Sequence, residues 1–190
     1  MTRATREQPL TVDEVEDMEC HCELVNGRLD IYPTPDIAHS KVVARLACHL
    51  ETVVTPDQEP LVRPVIVLDP QRTHFRRPDA VVMGRNTLPS DYITVPPLLA
   101  VEVVSPESVL RDNHTKRHEY ADFGVESYWI ITPSLDKTAL IELRLENGAY
   151  REITQVYGEE VFETDFPFPV KIVPQWLIAG GPWKARIGGE

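Results

Sequence analysis

Two acids stand out in this 190-residue chain because of what surrounds them. Glu102 interrupts Leu98-Leu99-Ala100-Val101-Glu102-Val103-Val104, a run apolar on both faces that reads as a buried central strand. A carboxylate there is costly to bury unless it is paired, hydrogen-bonded or bound to a cation. Asp79 follows Pro78 and heads a second apolar run, Ala80-Val81-Val82-Met83. If the two strands are neighbours, the two-residue alternation of side chains lets Asp79 and Glu102 project to one face. Converging carboxylates make a hard, oxygen-rich site suited to Mg²⁺ or Mn²⁺. Further on, Asp112, Lys116, Tyr120 and Phe123 recur at helical spacing and share a face. A lysine held close to two such acids can stabilise negative charge on a phosphate or position an attacking water.

Each of these residues also has a plainer role. Asp79 can cap backbone N–H groups at a strand end. Glu102 can be a buried acid paired with Lys or Arg. Lys116 can pair with Asp112 four residues earlier, or run its stem under Tyr120. Ser105 reads first as a helix N-cap, and Tyr120 as core with a polar tip that needs a partner. Tyr128 and Trp129 read as sheet core.

The elements that must position them are legible in outline. Thr11 and Glu14 form a capping-box pattern for a short helix reaching about Glu19. Asn26-Gly27 between apolar flanks marks a hairpin over Glu23 to Tyr32. From His39, the residues Val42, Val43, Leu46, Leu50 and Val53 keep a helical period that Pro56 ends. Strand-like runs follow at Leu61 to Leu68, Phe75 to Met83 and Leu98 to Val104. Ser105-Pro106-Glu107 then opens a helix that Gly124 closes. Tyr128 to Ile131 is another strand, and Leu140 to Val156 is a hairpin turning at Asn147-Gly148. The strand-helix-strand order over residues 98 to 132 predicts an α/β fold with a central mixed sheet flanked by helices, carrying added hairpins.

Composition sets the frame. With 42% hydrophobic and 26% charged residues the chain has the make-up of one globular domain, residues 1–190, ordered over about 10–180. Cys20, Cys22 and Cys48 are too few and odd in number for a disulfide framework, which points to isolated thiols and a cytoplasmic setting. Cys20-His21-Cys22 lacks the second ligand pair of a structural zinc site. No stretch approaches a membrane span, and the N-terminus has no signal-peptide character. Lys and Arg number 19 against 30 Asp and Glu, a net charge of −11 that excludes bulk coating of nucleic acid. The acidity is uneven. Residues 61–118 carry 8 basic and 6 acidic side chains, the one positive segment, and it holds Asp79, Glu102 and Lys116.

The order Pro-Asp, strand Glu, then Lys resembles the PD-(D/E)XK superfamily of restriction-endonuclease-like nucleases. More closely, Arg77-Pro78-Asp79, the block from Pro97 to Pro106, Asp112, Lys116, Tyr120 and Gly124-Val125-Glu126-Ser127-Tyr128-Trp129-Ile130 resemble the Uma-type endonuclease family, a bacterial group long filed as a domain of unknown function. Glu23-Leu24-Val25-Asn26-Gly27-Arg28-Leu29 matches that family's early segment, and His39 falls where it often has a His opening a helix. The likeness runs over roughly residues 10–177. One departure is informative: two residues after the second acid, where the superfamily usually has its Lys, stands Val104, and the Uma-type pattern moves that role to Lys116 on the next helix.

The resemblance implies a metal-dependent phosphodiesterase. Asp79, Glu102 and the backbone carbonyl of Val103 would hold Mg²⁺ or Mn²⁺. Lys116 would orient water or offset developing charge, and Glu23 would be an accessory acid. His39, Ser105, Asp112 and Tyr120 would support them. The expected activity is endonucleolytic cleavage of DNA, by a homodimer joined through the Leu140–Val156 hairpin or the Tyr128–Ile131 strand. Two other functions fit the same residues: a nuclease-fold binding or regulatory module without catalysis, and a hydrolase of small nucleotide phosphoesters.

Overall fold

The structure, a computed structural model, describes residues 8–15, 21–105 and 111–189. Along the chain the elements are α1 (Val12–Val15), β1 (Cys22–Val25), β2 (Arg28–Ile31), α2 (Ile37–Val53), β3 (Gln58–Val62), β4 (Ile66–Val67), β5 (Phe75–Arg76), β6 (Ala80–Gly84) and β7 (Leu99–Val103). They continue with α3 (Lys116–Phe123), β8 (Ser127–Thr132), β9 (Ala139–Glu146), β10 (Ala149–Tyr157), β11 (Phe162–Thr164), β12 (Val170–Ile172) and α4 (Trp183–Arg186).

Six strands form the central sheet in the order β10-β9-β8-β7-β6-β3. It is mixed as predicted: β7 and β8 run parallel, joined by the crossover that contains α3, and the other neighbours are antiparallel. Strand alternation divides the core. Val82, Leu99, Val101, Val103, Trp129 and Ile131 face α2, whose Val42, Val43, Leu46 and Leu50 are buried against them. Each fully buried side chain of this size contributes roughly 1.5–3 kcal/mol. Val81, Met83, Ala100, Tyr128 and Ile130 face the other way, where Tyr120 of α3 packs. Glu102 falls between Val101 and Val103, so the same alternation delivers its carboxylate to the α3 side. Tyr128 and Trp129 are core, as expected, on opposite faces.

Both Asn-Gly turns form. Asn26 and Gly27 have φ of 50° and 76°, Asn147 and Gly148 have 53° and 80°, the paired positive φ of a type I′ hairpin. Gly27 has a second reason to be glycine, since a Cβ there would lie 2.1 Å from Pro9 Cβ. At α1 the Thr11 N–H donates to the Glu14 carboxylate at 3.0 Å. The rest of that predicted helix, residues 16–20, lies outside the described residues, as does the stretch 106–110 that Ser105 was expected to cap.

Two strand predictions need correction. Leu61–Leu68 and Phe75–Met83 are each split between sheets. At Arg63-Pro64 (Arg63 φ 53°) the chain leaves β3 of the central sheet for β4 of a second sheet, ordered β2-β1-β5-β4. At Arg77-Pro78 it returns from β5 to β6. A proline cannot donate to a strand ladder, so each run breaks where one occurs. Asp79 therefore precedes β6 rather than lying within it. A third correction concerns β8, which is buried and paired along both edges, so it cannot form an interface between copies. A fourth concerns Cys22, which is disulfide-bonded and not an isolated thiol. No helix among the described residues is long and apolar enough to cross a membrane.

Candidate active site

The two sheets meet at a seam, and the predicted residues gather there. β1 supplies Glu23 and β5 supplies Arg76 from the small sheet. The central sheet supplies Glu102 from β7, and Asp79 from the entry to β6. Antiparallel pairing of Ala80 with Val101 carries Asp79 to the level of Glu102 and Val103. Lys116 opens α3. Together with His39, Val103 and Ser105, these side chains other than Arg76 line a cleft of about 560 Å³. The chemistry lies at its floor: Glu23 is 3% exposed, Asp79 8%, Glu102 3% and Lys116 2%.

Lys116 is the hub. Its Nζ lies 2.8 Å from Glu102 Oε1 and 2.8 Å from Glu23 Oε1. The Tyr120 hydroxyl, one helical turn on, donates to the same Glu102 Oε1 at 2.8 Å. That partner answers the need of a buried phenol, and burial with the nearby Glu102 charge holds the Tyr120 hydroxyl well above its usual pKa. The helical face predicted from spacing therefore does deliver Lys116 and Tyr120 to the strand acid. The turn before α3, Arg111–Thr115, is π-helical, a distortion frequent at functional sites. Asp112 lies on it, and its side chain is outside the described residues.

Glu23 has three donors besides Lys116. Arg76 Nη1 donates to its Oε2 at 2.9 Å, the Arg77 backbone N–H to its Oε1 at 3.0 Å, and the Tyr32 hydroxyl to its Oε2 at 3.1 Å. Burial alone would raise its pKa, but Lys116 and Arg76 override that and bring it down to about 2. Asp79 is held differently. Its Oδ2 accepts the Val103 N–H at 2.8 Å, and its Oδ1 lies 3.0 Å from His39 Nε2. Burial pushes the His39 pKa down, yet the hydrogen bond and charge of Asp79 more than offset it and the net shift is upward. His39 reaches this position because Asp36 caps α2, accepting the His39 backbone N–H at 2.7 Å.

Sequence reasoning missed the outer half of the network. Arg76, 1% exposed, also grips Glu119 of α3 with two bonds, 2.6 Å from Nε and 2.7 Å from Nη2, and His74 Nε2 lies 3.1 Å from the same carboxylate. Arg76 thus ties β1, β5 and α3 together. The only signal in the sequence was the basic surplus of residues 61–118.

For a divalent cation, the donors on offer are the Asp79 and Glu102 carboxylates and the Val103 carbonyl. Among the described residues no group of three His, Cys, Asp or Glu side chains could hold a metal. Two carboxylates and a carbonyl fit an ion that keeps several of its waters, as Mg²⁺ does.

The chain is thus an α/β protein whose mixed central sheet holds two acids at adjoining strands, with a lysine on the crossover helix between β7 and β8. The profile of the Uma2 family, described as "Putative restriction endonuclease", matches residues 9–172, and the chain belongs to that family. Among solved structures it is similar to a "putative nuclease belonging to DUF820" from Anabaena variabilis ATCC 29413. The TM-score is 0.65 at 17% identity, over 84% of this chain and 90% of that one, a likeness of fold. No curated protein matches the chain.

Proposed function

We propose that the cleft is the active site of a divalent-metal-dependent endonuclease that hydrolyses phosphodiester bonds in DNA. One observation carries this reading: Lys116 bridges Glu23 and Glu102 at 2.8 Å each on the floor of a cleft that Asp79 also lines. Asp79, Glu102 and the Val103 carbonyl are the residues that would hold Mg²⁺ or Mn²⁺. When bound, such an ion polarises the phosphate and lowers the pKa of an attacking water.

The chain's own groups do the rest. Glu23, kept ionised by Arg76 and Lys116, fixes the ammonium in place. From there Lys116 can donate to a phosphate oxygen or to the nucleophile as negative charge grows, without reorganisation at the moment of reaction. Tyr120 shares the Glu102 oxygen with Lys116 and holds that carboxylate in one rotamer. His39 keeps Asp79 oriented from the α2 side, and Ser105 closes the cleft beside Val103. For cutting both strands of a duplex, a homodimer would use the Leu140–Val156 hairpin, where β10 pairs only with β9 among the described residues.

The test is nicking of a supercoiled plasmid with Mg²⁺ or Mn²⁺. Glu102→Gln should lower the rate by about 10³-fold or more, and a chelator should stop it. Cleavage that survives Glu102→Gln unchanged would refute the assignment.

The alternative of a nuclease-fold module without catalysis has one observation in its favour, since the same ion pairs would serve a purely structural network. Calorimetric Mn²⁺ titration separates the two. Binding that disappears in Asp79→Ala and Glu102→Ala supports the enzyme, and no binding supports the module.

A further inference from the structure

The depth of the site bears on which form of DNA enters it. A duplex presents its phosphates on a broad convex surface and is usually approached by elements that project into its grooves, the wider of which is about 12 Å across. Here the reacting groups are recessed: Glu102 and Lys116 are 3% and 2% exposed. The cleft above them, about 560 Å³, is of the size that encloses a single small ligand, about one or two nucleotides. Tyr32, Pro33 and Pro35 of the segment after β2 line it, and so do Arg63 and Arg77.

The walls carry the two kinds of group that unpaired nucleotides use, an aromatic face for a base and cations for the backbone. Tyr32 is half-buried with its hydroxyl 2.5 Å from Asp30 Oδ2 and 3.1 Å from Glu23 Oε2, and the Arg111 guanidinium lies 4.0 Å from its ring centroid. A base can stack against this aromatic-cationic pair. Arg63 Nη2 is held 2.7 Å from Nδ1 of His21, whose backbone carbonyl accepts the Tyr32 N–H at 2.7 Å, and burial, with the charges of Arg63 and Arg77, holds the His21 pKa below its usual value. Both guanidinium groups line the cleft. Arg63 adopts this place at φ 53°, a conformation that favours glycine or asparagine.

We infer that the cleft takes an unpaired strand: single-stranded DNA, or a frayed or flipped nucleotide of a duplex, with its backbone along Arg63 and Arg77 and a base on the Tyr32–Arg111 pair. This rests on the proposed nuclease reading and adds the strand state of the substrate.

The test is fluorescence anisotropy with labelled oligonucleotides of one sequence, single-stranded, fully paired, or paired with a central bubble. It is run with Ca²⁺ so that binding is read without cleavage, followed by cleavage of the same three with Mn²⁺. The expected result is single-stranded and bubble DNA bound at least about tenfold more tightly than the duplex, with cleavage in the same order. Tyr32→Ala should remove most of that preference, while Tyr32→Phe, which keeps the ring and loses the hydroxyl, should retain it. Arg63→Ala should weaken single-strand binding and reduce its salt dependence. A duplex bound and cut as well as the single strand would overturn this inference and leave the nuclease reading standing. Binding and cleavage of none of the three would overturn both.

Discussion

Two carboxylates are buried on strands of the central sheet, and they have different surroundings. Glu142 on β9 is 1% exposed, takes a 2.7 Å bond from Arg144 Nε and a 3.2 Å bond from the Thr164 hydroxyl, and does not line the cleft that holds Glu102. Its cation comes from two residues along the same strand and is one-third exposed. Glu102 on β7 is buried to a similar degree, but its cation comes from α3, is itself buried, and is shared with Glu23 of the second sheet. Burial of an acid is common to both sites. Convergence of separate elements on a cleft belongs only to Glu102, and that is what separates a candidate active site from a satisfied core polar group.

The largest expected difference is in activity. Glu102→Gln should cost about 10³-fold or more in metal-dependent nicking, while Glu142→Gln should leave it within about twofold and lower stability by about 1 kcal/mol. Equal losses in the two variants would erase the distinction. The next difference is in stability. Lys116→Met leaves Glu23 and Glu102 without their shared cation, a change on the order of 3–5 kcal/mol, read as a large drop in Tm. Arg144→Met, at a cation one-third exposed, should cost about 1 kcal/mol.

Acid titration sharpens the contrast further. The Glu23 pKa is held at about 2 against an ordinary 4.5, so the folded state binds this proton less readily than the unfolded chain. The associated stability is fully present above about pH 4.5 and is lost as the pH falls towards 2. Urea midpoints measured across that range should fall steeply in the native protein and less steeply in Glu23→Gln. Smallest is the support from α2: Asp36→Ala removes the N-cap ahead of His39 and should cost about 1 kcal/mol with metal-dependent activity largely kept.

The same contrast explains what could be read from the sequence. Glu102 was conspicuous because apolar residues flank it on both sides. Glu142 was not, since Leu140-Ile141-Glu142-Leu143-Arg144 alternates like any half-exposed strand. The hairpins at Asn26-Gly27 and Asn147-Gly148 were legible because turn chemistry is local, and Lys116 and Tyr120 because four residues make one helical turn. Arg76 was not legible as a site residue. Its partner Glu23 lies 53 positions away, and only the crossing of the chain between sheets at Arg63-Pro64 and Arg77-Pro78 brings them together. Glu119 was missed for a related reason, because a charged residue on a short polar helix reads as solvent-facing until the second sheet is placed against it.

The most direct measurement is the anomalous difference density of crystals soaked in Mn²⁺. The expected result is a peak bonded to the carboxylates of Asp79 and Glu102 and to the Val103 carbonyl, with Lys116 beside it and still bonded to Glu23. Crystals that take up Mn²⁺ elsewhere, or show no peak between Asp79 and Glu102 at saturating metal, would contradict it.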